Sequence, residues 1–290
     1  MSIKQVAVCG AGLMGSGIAQ AVAQAGYFVI LEDLEAGIVD RAVAKIGGRL
    51  QSQVEKGRLS SEEREAILGR IRTTTRLEDF GDADLVIEAV VEDVAVKRST
   101  FAELDRICRP SALLVTNTST LSPTEIGAAT RRPEQTAGLH FFNPAPVMKL
   151  VEVIPGLATS QETVSALREF VSSLGKTPIV VKESPGGIVT RILLLVRNEA
   201  VNILAEGIAS AEDIDTAMKL GAGWPMGPLA LTDLVGIDLT VTNSDSLCRE
   251  LGTNRFRPHP LLRKMVRAGY LGQKSGRGFY VYDQGERKER

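Results

Sequence analysis

Six residues, Gly10-Ala11-Gly12-Leu13-Met14-Gly15, constrain this 290-residue chain more than any others. They stand between a short apolar run, Val6-Ala7-Val8-Cys9, and a helical pattern running from Ile18 to Ala25. Strand, glycine turn and helix N-terminus in that order aim backbone amides and a helix dipole at a pyrophosphate. The glycines let the turn close, the phosphates approach, and the helix pack on the strand. Alone, such a turn is a weak signal. A second apolar run, Phe28-Val29-Ile30-Leu31, strengthens it because it ends at Glu32-Asp33, where a carboxylate can bind an adenosine ribose. With no arginine beside that acid to take a 2′-phosphate, the pattern favours NAD over NADP. The competing reading is a βαβ opening that merely packs.

Strands alternate with helices as far as about residue 184, which predicts a mostly parallel, doubly wound α/β sheet of Rossmann type. Strands are expected at 5–9, 28–33, 85–90, 112–117, 136–141, 149–154 and 177–182, with a short one near 71–75. The polar stretch 35–70 is too long for an ordinary crossover. Apolar positions at Ile38, Val43, Ile46 and Leu50, then at Leu59, Ile67 and Leu68, suggest two helices joined near Lys56-Gly57, forming an arm that projects from the sheet. After Ser184-Pro185-Gly186-Gly187 the pattern turns helical, so two domains are expected, 1–184 and 185–290, the second all-helical. Its helices are expected from Ile192 onward, over Asp213–Leu220, over Pro228 to about Leu251, and over Pro260–Arg267. The first of these is apolar around nearly its whole circumference, apart from Arg191, Arg197-Asn198-Glu199 and Asn202. Burial in its own domain and against a second subunit is expected, hence a homodimer.

A formal net charge of −1, from 34 basic and 35 acidic residues, gives no basic field for nucleic acid or an anionic membrane. Cys9, Cys108 and Cys248 are far apart and lack metal-ligand spacing, and they read as reduced thiols with no metal site. The first strand begins too near Met1 for a targeting leader, and no apolar run approaches the roughly 20 residues of a membrane span. The expected address is the cytoplasm.

Only two histidines are present, which narrows the search for a proton-transfer group. His140 closes a predicted strand in Gly138-Leu139-His140-Phe141-Phe142-Asn143-Pro144, at the sheet edge where doubly wound folds bind ligands. Glu152 lies between two valines on the next strand, and a carboxylate buried there needs a partner. The loop Asn143-Pro144-Ala145-Pro146 can return the chain so that the two meet, with Glu152 fixing the imidazole tautomer. The alternative is a satisfied core histidine beside a surface glutamate. His259, between two prolines, reads as a loop residue. After the strand Leu113-Leu114-Val115, Asn117 and Ser119 can offer donors to a substrate oxygen, while Ser122 reads as a helix cap.

These residues resemble the 3-hydroxyacyl-CoA dehydrogenase family, and within it the short 3-hydroxybutyryl-CoA type. The likeness covers nearly the whole chain: the turn through Gln20, Val86-Ile87-Glu88-Ala89, Asn117-Thr118-Ser119, and the highly specific run from His140 to Glu152. In the second half Pro225-Met226-Gly227-Pro228-Leu229 and Gly272 through Tyr280 also match. The resemblance implies an NAD-binding domain, a helical dimerisation domain and a 3-hydroxyacyl thioester substrate. It makes His140 the general base, Glu152 its paired carboxylate, and Ser119 the hydrogen-bond partner of the reacting oxygen. Cofactor contacts fall on Gly10, Gly12, Leu13, Met14, Gly15, Asp33, Glu92, Lys97, Asn117, Ser119, Asn143 and Lys274. Lys56 falls against the coenzyme A nucleotide, with Arg49 and Arg58 also available. Read without the resemblance, Glu92 and Lys97 are an exposed pair at a helix start, and Lys274 is a solvated loop charge.

Departures cluster on the substrate side. Thr190 stands where the family carries an asparagine that holds substrate near the base, and a hydroxyl reaches less far than an amide. Gly187 replaces an aromatic residue, and Trp224 stands where the short enzymes often carry histidine. The expectation is retained hydride chemistry on an altered acyl substrate, such as a group carried on acyl carrier protein or a polar 3-hydroxy acid. A protein that binds NAD without turning over is a third possibility, which the joint presence of Ser119, His140 and Glu152 argues against.

Overall fold

A computed structural model describes residues 3–283 and 286–288, and the chain divides into two compact units, Met1–Ser184 and Pro185–Arg290. The strands of the first unit are β1 (Gln5–Cys9), β2 (Phe28–Glu32), β3 (Ile71–Thr74), β4 (Leu85–Glu88), β5 (Leu113–Thr116), β6 (Thr136–Phe141), β7 (Leu150–Pro155) and β8 (Thr177–Val180). They form one sheet in the order β3-β2-β1-β4-β5-β6-β7-β8. From β3 across to β6 every pairing is parallel; β7 runs antiparallel to β6, and β8 is parallel to β7. This is the doubly wound α/β arrangement the alternation predicted, with a strand-order reversal between β1 and β4 that opens a crevice at the strands' carboxyl ends.

Alternate residues of the strands feed two cores. Val6, Val8, Val29 and Leu31 pack with α1 (Leu13–Gln24) on one face, whereas Ala7, Cys9, Ile30 and Val86 meet Phe101 and Leu104 of α4 (Val94–Ile107) on the other. Full burial of side chains such as Phe101 and Leu104 contributes roughly 1.5–3 kcal/mol each.

The stretch 35–70 does form two helices, α2 (Ala36–Glu55) and α3 (Ser61–Leu68), turning at Lys56 and Gly57. It does not project as a free-standing arm. Val39, Ala42, Ile46, Leu50 and Ile67 are buried in the same core as α1, because their spacing of three and four residues gives one apolar stripe that the sheet-covering helix can take up. Ser60 caps α3, with a reciprocal bond from its own backbone N–H to Glu63. Two shorter connections complete the unit, α5 (Pro123–Gly127) and α6 (Gln161–Ser173).

The second unit is built on α7 (Val189–Ala205), α8 (Ala211–Gly221), α9 (Pro228–Val235), α10 (Ile237–Leu251) and α11 (Pro260–Arg267). The single helix expected from Pro228 to about Leu251 is broken at Gly236, whose φ of +104° no helix accepts. A side chain there would also strike Asp238. The apolar circumference of α7 is not buried within this unit: only Leu194, Arg197, Ala200 and Val201 are, and Ile192 keeps 56% of its surface exposed. Two buried carboxylates tie the unit together. Asp215 accepts from the N–H groups of Leu229 and Ala230 at the head of α9, and from the Tyr280 hydroxyl. Asp233 accepts from Phe279 N–H, Tyr280 N–H and the Tyr282 hydroxyl, while burial pushes its carboxyl up. Gly227 lies against Asp215 and Gly278 against Asp233 so closely that a methyl group would overlap either carboxylate, which explains two glycines of the matched motifs. No helix among the described residues is long and apolar enough to cross a membrane.

Candidate active site

The glycine turn links β1 to α1, and three of its positions have different reasons to be glycine. Gly10 has φ +96°, and a methyl group on it would lie 2.7 Å from the carbonyl oxygen of Ala89. At Gly15 a methyl group would overlap the Gly10 carbonyl at 1.7 Å, so close packing of helix on strand excludes it. Around Gly12, by contrast, an added methyl group meets nothing within 4 Å. That open side, beside a helix N-terminus whose cap has no side chain to bond the first amides, suits a pyrophosphate. Leu13, half of whose surface or more is open, and Met14 follow directly on α1. Asp33, one residue beyond β2, accepts from Ala11 N–H at 2.8 Å and from Leu34 N–H at 2.9 Å, so the ribose-type acid and the phosphate-type turn are held together. These residues fit a dinucleotide.

Across the carboxyl ends of the strands runs a buried polar row in register: Glu32 opposite Cys9, Cys9 opposite Glu88, Glu88 opposite Thr116. Burial pushes the Cys9 thiol well above its ordinary value, with Glu32 adding to the effect, and pushes Cys108 up to about 11. Both thiols are therefore inert at neutral pH. Lys97, read from the residues alone as exposed, is wholly buried. Its ammonium lies 2.7 Å from Glu88 and 3.4 Å from Glu92. The reason is Glu88: a carboxylate at the inner end of a central strand requires a counter-charge, and the first turns of α4 supply one. Glu88 also accepts from Val90 N–H and the Thr116 hydroxyl. Glu92 in turn accepts from the Thr118 hydroxyl and from Ser119 N–H, so Lys97 and Glu92 fix the segment that carries Ser119.

His140 and Glu152 are direct partners across the β6–β7 pairing, and imidazole Nδ1 lies 3.0 Å from Glu152 Oε2. Both are buried, at 5% and 0% exposure, which rules out a surface glutamate. The antiparallel hairpin, rather than the loop alone, sets this geometry, because cross-strand neighbours point to one face. Phe142 covers the imidazole with ring centroids 4.4 Å apart. Asn117 accepts from Phe141 N–H at 2.9 Å, which pins the chain just after His140 and leaves its amide NH2 as the donor end.

The other expected residues fall in more open places. Asn143 is exposed in the β6–β7 connection, and Lys56 and Arg58 are exposed at the α2–α3 turn, whereas Arg49 donates to Gln20. Thr190 is half-buried in the first turn of α7. Lys274 is no isolated solvated charge, since it pairs with Asp238 of α10 at 2.6 Å. His259 caps α11 by accepting from Leu261 N–H, and Ser122 caps α5 as expected. Glu88, Asp215 and Asp233 carried no role in the sequence reading. Their signal was present, an acid inside or beside a short apolar run, but the burial that makes it matter is a tertiary property.

A phosphate-ready turn clasped by an acid, with a buried imidazole–carboxylate pair in the same unit, defines an NAD-dependent dehydrogenase. The chain belongs to the 3-hydroxyacyl-CoA dehydrogenase family: residues 5–184 match its NAD binding domain and residues 186–282 its C-terminal domain. It is 47% identical over 284 residues to a probable 3-hydroxybutyryl-CoA dehydrogenase of Bacillus subtilis, covering 98% of this chain and 99% of that one. It is also 45% identical over 281 residues to the 3-hydroxyadipyl-CoA dehydrogenase of Escherichia coli, covering 97% of this chain and 59% of that longer protein. The solved (S)-3-hydroxybutyryl-CoA dehydrogenase of Ralstonia eutropha superposes with a TM-score of 0.92 at 43% identity, over 98% of this chain and all of that one.

Proposed function

We propose that this enzyme oxidises the hydroxyl of a 3-hydroxyacyl-CoA, with 3-hydroxybutyryl-CoA as the reference substrate, to the 3-oxoacyl thioester, reversibly. The observation that carries this reading is the buried His140–Glu152 pair at 3.0 Å. With Nδ1 donating to the carboxylate, Nε2 carries the lone pair and accepts the substrate hydroxyl proton, and Glu152 stabilises the resulting imidazolium. Ser119 hydrogen-bonds the same oxygen from the segment that Glu92 and Lys97 hold, and Thr190 steadies the acyl group. Bound NAD would supply the hydride acceptor for the carbon that bears the hydroxyl. Gly10, Gly12, Leu13, Met14 and Gly15 would hold its phosphates and Asp33 its ribose, with Glu92, Lys97, Asn117, Asn143 and Lys274 around it. In the reverse direction His140 returns the proton.

Lys56 on the exposed turn suits the coenzyme A nucleotide. The apolar surface left open on α7 supports a homodimer formed by the 185–290 domain, and three free cysteines support a reducing, cytoplasmic setting. One feature favours a second substrate reading, an acyl-carrier-protein thioester or polar 3-hydroxy acid: Thr190 follows Gly186 and Gly187, both at positive φ, so the entrance to α7 differs from an asparagine-bearing, aromatic one. The test is NADH formation from 3-hydroxybutyryl-CoA, its carrier-protein thioester and the free acid. Turnover of the CoA ester is expected; turnover of the carrier-bound or free acid alone overturns the CoA assignment.

A further inference from the structure

Lys176 is a buried cation of the first unit that the proton transfer does not use. It is 7% exposed, and burial and Lys149 both pull its ammonium down, with no carboxylate acting against them. Its place follows from the way α6 ends. Gly175 has φ +68°, its N–H returns to the Ser172 carbonyl, and Lys176 N–H returns to the Val171 carbonyl, a paired closure that stops the helix just before β8. From there Nζ donates to the carbonyl oxygens of Ala145 and Met148, each at 2.7 Å. Both belong to the connection between β6 and β7, and Thr177 N–H adds a bond to the Lys149 carbonyl at 2.6 Å. A buried ammonium without a counter-ion is costly, so a position that merely filled space would take an aliphatic side chain. What the lysine adds is a pair of charge-assisted bonds to one stretch of backbone.

That stretch adjoins the site at both ends. His140 lies just before it, Glu152 just after it, and Asn143 is exposed within it. The N–H groups of Val147 and Met148 return to the Pro144 carbonyl, while the Ala145 and Met148 carbonyls take their bonds from Lys176. On another side the connection lies against α1: Ala145 is buried, and a methyl group on Gly17 would come within 3.3 Å of the Ala145 side chain and 3.4 Å of Pro146. Because β1, β4, β5 and β6 are parallel, the connection leaves the sheet at the same carboxyl edge as the glycine turn. We propose that Lys176 is a positioning residue for the dinucleotide: by fixing the β6–β7 connection against α1, it holds Asn143 ready for NAD. This rests on the assignment of Asn143 to the cofactor. The His140–Glu152 pair is set by the strand pairing itself, so loosening the connection acts on the cofactor and spares the proton transfer.

The experiment measures NAD affinity by fluorescence titration in the parent, Lys176→Met, Lys176→Arg, Asn143→Ala and the K176M/N143A double variant, with the pH profile of kcat/KM for (S)-3-hydroxybutyryl-CoA at saturating NAD. K176M is expected to bind NAD on the order of 10-fold more weakly, the worth of about one hydrogen bond, with the profile unmoved. K176R keeps donors for both carbonyls and recovers most of the affinity. In the N143A background the lysine substitution costs less than about twofold, because residues acting through one contact are not additive. Should K176M not fold, Lys176→Gln, which keeps an amide donor, carries the same comparison. A K176M protein whose NAD affinity stays within about twofold of the parent overturns the proposal, as does a loss that persists in full without Asn143, the mark of general loosening. A shifted pH profile in K176M overturns it too, since the lysine would then act on the imidazole. An N143A protein that binds NAD as the parent does removes the Asn143 assignment and this inference together, while the hydride reaction stands. Affinity is read without turnover, so this inference and the proposed reaction fail separately.

Discussion

Glu152→Gln isolates the charge that the account asks Glu152 to supply. Glutamine keeps the size and an acceptor for His140 Nδ1 at the observed 3.0 Å, but it cannot stabilise an imidazolium electrostatically. Two unit charges about 4 Å apart interact by about 4 kcal/mol at an effective dielectric near 20. Glutamine recovers part of this through its own hydrogen bond, so a net loss of roughly 3–4 kcal/mol in the transition state is expected, or about 10²–10³ in kcat. The assay is NADH absorbance at saturating 3-hydroxybutyryl-CoA and NAD, with NAD binding measured separately by fluorescence. Dinucleotide affinity should stay within a factor of about three, because the turn at Gly10–Gly15 and Asp33 is untouched. If E152Q keeps kcat within about threefold of the parent, the carboxylate is a packing partner and the proton-transfer argument fails.

Three further outcomes follow from the first unit. Gly12→Ala should fold with an unchanged melting temperature yet lose NAD affinity, whereas Gly15→Ala should lose the fold, since only the latter methyl group meets backbone; equal effects on stability would contradict the packing argument. Lys97→Met strands the buried carboxylate of Glu88 and should cost about 3–5 kcal/mol in urea unfolding, against less than 1 for a surface lysine; a cost under 1 would place the pair in water. Burial would raise the Asp105 carboxyl, but bonds from Arg131 and Arg132 outweigh it and hold it below its ordinary value. The stability this contributes is present above the unfolded value of about 3.9 and is lost as pH falls through the lower folded value. Asp105→Asn should therefore flatten the acid arm of the melting-temperature profile, and an unchanged arm would count against it.

Legibility from the residues followed periodicity and failed with tertiary context. The strands at 5–9 and 136–141 agree with β1 and β6; β1, parallel to both neighbours and buried, writes a continuous apolar run from Val6 to Cys9. The pairing of His140 with Glu152 was readable because two strands on either side of a short loop leave few registers, and a buried acid demands a partner. Lys97 was misread for a related reason. Nothing in Glu88 through Lys97 shows that the strand end is sealed from water, so Glu92 and Lys97 read as an exposed pair at a helix start. Stretch 35–70 showed its helices but not their docking on α1, since the apolar stripe is the same for an extended arm and a packed one. The break at Gly236 was hidden because apolar residues continue on both sides of it, Leu234 and Val235 before and Ile237 and Leu239 after, and a single glycine is weak punctuation.

The central claim is that His140 moves the proton while the substrate carbon gives up its hydride. Single-turnover NADH formation from (S)-3-hydroxybutyryl-CoA by the parent and by His140→Ala tests it most directly. A fall of about 10²–10⁴ in the chemical step with NAD affinity retained is the expected result; equal traces from the two proteins would contradict the account.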